Sequence, residues 1–71
     1  MIVLTKLRGE TFVLNSELIE TITENPDTTI LLTNGKRLLV RESKEEVVDK
    51  VVAFRRKVFQ DMLHSLENGK R

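Results

Sequence analysis

The sequence has no cysteine, tryptophan or tyrosine, and only one histidine, one proline and three glycines in 71 residues. Without cysteine there is no disulfide, and one histidine alone cannot supply the four ligands of a structural zinc site. Missing cysteine also fits a reducing cytoplasm. Three phenylalanines are the whole aromatic complement, too few for the stacking platforms that hold single-stranded nucleic acid. A formal charge of +1 falls short of the footprint of a dedicated DNA-binding domain, so nucleic acid is not the expected partner. Apolar runs such as Ile2-Val3-Leu4 and Val51-Val52-Ala53-Phe54 are three or four residues long. A bilayer span needs roughly 20, and no signal peptide opens the chain. The absences together predict a cytoplasmic protein without a transmembrane segment.

What is present is a 39% apolar, 32% charged chain of 8.2 kDa, enough for one small domain. At this size a single core contributes only about 3–5 kcal/mol, and small folds recruit disulfides, a metal or self-association. With the first excluded and the second nearly so, self-association is the staple that remains.

The chain divides at Glu42-Ser43. Before it, turn residues punctuate β-type runs. Ile2-Val3-Leu4-Thr5-Lys6-Leu7 leads through a turn at Arg8-Gly9 into Thr11-Phe12-Val13-Leu14, and Asn15-Ser16 breaks that run through side-chain to backbone bonding. Residues 18–24 fit one helical turn or an alternating strand; their β-branched content favours a strand entered by a short turn at Ser16-Glu17. Asn25-Pro26-Asp27 is a turn, because proline fixes φ and disfavours helix before it. Residues 28–33 form a strand, and Asn34-Gly35 predicts a two-residue type I′ hairpin returning through residues 36–40.

After the divide, Ser43-Lys44-Glu45-Glu46 is a capping box. Two apolar stripes follow at helical spacing, Val47, Val51, Phe54, Val58 and Met62, and Val48, Val52, Phe59, Leu63 and Leu66. Asn68-Gly69 is a fitting stop. The expected fold class is therefore α+β: a small antiparallel meander of about five strands, then one long C-terminal amphipathic helix. Residues 1–54 form the meander and the first half of the helix, and residues 55–71 an overhanging arm with a frayed basic end. Residues 55–71 carry five bases and two acids, a net +3.

Two inferences favour an oligomer. The strands are apolar on both faces, with Ile2 and Leu4 opposite Val3 and Leu7, and one helix covers one face of a sheet. A sheet rolled into a small barrel is the alternative. The helix, at 24 residues, runs about 36 Å against about 17 Å for a five-residue strand, so its last turns overhang the sheet. An amphipathic overhang pairs with its own copy or with a partner's groove. Phe54, Val58, Phe59, Met62, Leu63 and Leu66 are the candidate interface. Arg8, Pro26, Asp27 and Arg41 are candidate exposed contacts.

Little else points to chemistry. Ser16, Ser43 and Ser65 are present, but the lone base candidate, His64, lies in the tail helix and reads as an exposed or partly packed helix residue, so no catalytic residue is assigned and no enzyme is expected. Glu17, Glu20 and Glu24 read as a solvated face, and Gly9, Gly35 and Gly69 are isolated rather than parts of a phosphate loop. No cofactor or metal is therefore expected. Arg55-Arg56-Lys57, the one basic cluster, fans around a helix by about 100° per residue and so makes no tight phosphate clamp. Gly9, Asn34, Gly35, Ser43 and Glu46 are turn and cap residues.

The first half nevertheless resembles a known pattern. Ile2-Val3-Leu4-Thr5-Lys6-Leu7-Arg8-Gly9, Asn15 with Leu18-Ile19-Glu20-Thr21-Ile22, Pro26-Asp27-Thr28-Thr29-Ile30-Leu31-Leu32 with Gly35, and Val40-Arg41-Glu42-Ser43 are similar to the FlbD/SwrD family of small bacterial flagellar proteins. The likeness covers about residues 1–52. It departs at Arg8, where the family often has asparagine, at Thr23, where an acid is common, and at Leu39, where an aromatic is frequent. The resemblance implies a cytoplasmic, non-enzymatic auxiliary protein at the flagellar motor. Its expected partner is a motor or stator protein, and its expected role is to promote motor power during swarming. The apolar opening strand and basic hairpin are also loosely similar to carbon-storage regulators, whose intertwined β-dimers bind RNA. Near-neutral charge and scarce aromatics weigh against that alternative.

Overall fold

A computed structural model describes residues 1–68. The element order is β1 (Ile2–Thr5), β2 (Thr11–Leu14), one 3₁₀ turn (Ser16–Leu18), β3 (Ile19–Glu24), β4 (Thr28–Leu32), β5 (Arg37–Val40) and α1 (Lys44–Asn68). Five antiparallel strands followed by one helix is the α+β architecture expected from the sequence. Gly69, expected to stop the helix, and the basic Lys70-Arg71 end lie outside the described residues.

The segment after β2 turns and then becomes a strand. Asn15 Oδ1 accepts the Glu17 N–H at 3.1 Å, the local bond that pulls the chain out of β2. Glu20 is then an extra residue, since Ile19 pairs with Leu32 but Thr21 with Leu31. Such a bulge bends a strand and increases its twist.

The strands form two sheets, β1–β2 and β3–β4–β5, rather than one continuous meander. The link between them runs through the far end of the chain. Lys6 bridges to Val40, and the Arg41 N–H donates to the Thr5 carbonyl at 2.8 Å. β1 thereby lies beside β5, while the Thr33 N–H holds the Leu18 carbonyl at 2.8 Å on the other side.

Strand register decides which side chains are enclosed. Ile2 pairs with Leu14 and Leu4 with Phe12, so all four face inward, and Val3 pairs with Val13 outward. Ile30, Leu32 and Val40 come from the second sheet to meet Ile2, Leu4 and Leu14 in one core. Val47 closes it from the helix and is 0% exposed. The two sheets curl around a shared interior, and Val3, Val13, Leu7 and Leu39 stay exposed outside it.

The hairpin at Asn34-Gly35 is not the two-residue type I′ turn that the dipeptide suggests. That turn needs positive φ at Asn34, but among the described residues only Gly9 and Gly35 have positive φ, at 106° and 87°. The loop is three residues, Thr33-Asn34-Gly35: the Gly35 N–H donates to the Leu32 carbonyl at 2.9 Å, and the Leu32 N–H to the Lys36 carbonyl at 2.8 Å. The glycine alone takes the left-handed position, and Asn34 contributes Oδ1 to the Lys36 N–H at 3.0 Å. The first hairpin repeats this construction, with Gly9 N–H to Lys6 carbonyl at 2.8 Å and Lys6 N–H to Glu10 carbonyl at 2.7 Å. A turn closed by a left-handed glycine is the common three-residue solution.

The capping box forms as its spacing predicts. Ser43 N–H donates to Glu46 Oε1 at 2.7 Å, and Glu46 N–H to Ser43 Oγ at 3.1 Å. A third acceptor arrives from β3, where Glu24 Oε1 takes the Lys44 N–H at 3.0 Å. From this start α1 runs 25 residues, about 37 Å, and sets the long axis of a molecule measuring 51 × 23 × 19 Å.

Candidate functional site

Three features of the surface bear on function, and the first is the helix beyond the body. On α1, Val47 is buried and Val51 and Phe54 are half-buried against the core, whereas residues 55–66 are all exposed. Phe59, Met62 and Leu66 are 59%, 58% and 72% exposed, with Val58 and Leu63 beside them. Val48 and Val52 continue the same exposed stripe along the body. Each side chain follows from 3.6-residue geometry: the sheet ends, and the stripe goes on. A cleft of about 350 Å³ lies where arm and body meet, between Glu17, Phe54 and Phe59. Arg55 approaches Glu17 at 3.9 Å and Lys57 approaches Asp61 at 3.5 Å, both pairs largely in water and therefore weak.

The second feature is the segment Val40-Arg41-Glu42-Ser43, which ties hairpin, sheet and helix together. Arg41 Nε donates to the Leu7 carbonyl at 2.9 Å, and its guanidinium lies over Gly9, 3.5 Å from where a Cβ would stand. Glu42 accepts the Thr5 N–H at 2.9 Å and the Thr5 hydroxyl at 2.8 Å. Partial burial alone would raise the Glu42 pKa. The two Thr5 hydrogen bonds, its own N–H and the Lys50 charge outweigh that and hold the carboxyl below the ordinary 4.5. Sequence reading placed Arg41 among exposed contacts and overlooked Thr5 and Glu42. Arg41 is exposed, and it also braces the first turn. Their pairing spans 37 positions, so no local spacing signals it.

The third is the end of the molecule holding the two glycine loops. Arg8 lies there, exposed in the first turn, while Pro26 and Asp27 are exposed at the opposite end of β4, in the β3–β4 connection. These contacts are therefore not one surface. Asn34, Gly35, Ser43 and Glu46 act locally, as described above. His64 lies on the exposed arm. Among the described residues, no three His, Asp or Glu side chains gather as a metal site, and no helix is long and apolar enough to cross a membrane.

No curated protein and no solved structure matches the chain. A family model described as FlbD, flagellar and swarming motility proteins, matches residues 1–59. That stretch takes in all five strands, the Val40-Arg41-Glu42-Ser43 tie and the helix as far as Phe59, so the chain belongs to the FlbD family of flagellar and swarming motility proteins.

Proposed function

We propose that this protein is a non-enzymatic auxiliary component that supports swarming by promoting flagellar motor power through protein–protein contacts in the cytoplasm, at the motor. The observation that carries this reading is the apolar arm. Val58, Phe59, Met62, Leu63 and Leu66 are exposed together on one continuous helix, and such a stripe gains stability by covering its apolar surface with another chain. Self-association through the arm is the simplest cover, and a motor or stator protein is the partner that the family points to.

The experiment is complementation of a strain lacking the gene. Wild type should restore swarming and the torque of single motors, measured by bead rotation, while Phe59→Asp should restore neither at equal protein level. Full torque in the deletion strain would remove the motor-power reading. The RNA-regulator alternative gains no support from membership of a motility family.

A further inference from the structure

We propose that the cleft between the β1–β2 turn and β5 docks an acidic peptide segment carrying an apolar anchor residue. This rests on the reading of the chain as an auxiliary adaptor that works through protein–protein contacts, and names the chemistry of what it holds. The cleft has a volume of about 400 Å³, in the range that accepts a side chain or small ligand. Lys6, Arg8 and Arg37 line it, against one acid, Glu10. Its floor is apolar: Leu7 and Leu39 are exposed there, and Phe12 lies under the Lys6 ammonium, 5.7 Å from Nζ to ring centroid. Cations around an apolar floor select a ligand with carboxylates around an apolar side chain.

The wall is held before any ligand arrives. Arg41 bonds the Leu7 carbonyl and covers Gly9, so little ordering remains to oppose binding. Other occupants fit less well. Single-stranded RNA would stack on open aromatic faces, but the cleft has one ring and a lysine covers it. A second copy's arm would bring Arg55, Arg56 and Lys57 against three further cations.

The test is fluorescence anisotropy on the purified full chain with a fluorescein-labelled peptide of repeated Glu-Glu-Leu-Glu. Wild type should bind, and Lys6→Glu/Arg37→Glu should bind about tenfold more weakly or worse, as expected for reversing two charges. The milder Lys6→Gln/Arg37→Gln pair should fall between them, with folding of each variant checked by its melting curve. Replacing leucine by serine in the peptide should also weaken binding. The cleft proposal is overturned by no binding to wild type, by equal affinity of the charge-reversed protein, or by equal affinity of the serine peptide. Tighter binding of polyuridylate RNA would overturn it in favour of nucleic acid. Any of these leaves the adaptor reading standing if swarming still depends on the protein; loss of that dependence fails the adaptor reading instead.

Discussion

Single atoms decide several stabilities in this chain. At φ of 87°, Gly35 takes a conformation that costs a side-chain-bearing residue roughly 1–2 kcal/mol. Gly35→Ala should therefore lower the melting temperature by several degrees for a domain of this size. Asn34→Ala loses one exposed hydrogen bond and should cost less, about 0.5 kcal/mol; equal losses in thermal denaturation would refute the three-residue loop. Ser16 moves the other way. Its side chain is 3% exposed and its Oγ has no hydrogen-bond partner, so Ser16→Ala should be neutral or stabilising by up to about 1 kcal/mol. A clear loss of stability in urea would show that the hydroxyl is satisfied. For Glu42, the native pKa is the lower one, so the unfolded chain binds the extra proton on acidification. Its contribution is full above 4.5 and fades as pH falls through the native value. Glu42→Gln should cost about 1–2 kcal/mol near pH 7, and the gap from wild type should narrow below pH 4.5. A gap that stays constant would mean the carboxylate is not the Thr5 partner.

Elements were legible where one short pattern dictates one geometry. The capping box is such a pattern: Glu46 stands three positions after Ser43, and each closes the other's backbone donor. Ser43→Ala should cost about 1 kcal/mol and lower helical ellipticity near the transition, but part of the helix signal should survive, because Glu24 still holds the Lys44 N–H. Complete loss of helix in that variant would mean the strand carboxylate does not cap. Strand and helix order, the turn at Pro26 and the arm's apolar stripe could also be read along the chain, since each depends on neighbours within a few positions. The sheet partition could not. Joining β1 to β5 through Lys6 and Val40 requires knowing where residue 5 lies relative to residue 41. The Asn-Gly signal misled for a local reason: Thr33 joined the loop, and the positive φ fell on the glycine alone.

At the scale of the whole molecule, a small body holds a helix about twice as long as its strands. Removing residues after Phe54 should leave the β-sheet ellipticity largely intact, because the buried core is complete by Val47, with only Val51 and Phe54 packed against it beyond that point. Phe59→Asp or Leu63→Asp should lower the mass found by light scattering while retaining the β signal. An unchanged mass would exclude the arm from any self-association. Among the described residues, the helix is fastened along its first part, by Ser43, Glu46, Glu24, the burial of Val47 and the packing of Val51 and Phe54. Mechanically it is a lever clamped at its root. Over the free stretch from Arg55 to Asn68, about 21 Å, a tilt of about 10° at the clamp sweeps the tip through about 4 Å. Whatever grips the tip therefore experiences sub-ångström adjustments at Glu24 and Ser43 as movements large enough to engage or release a contact.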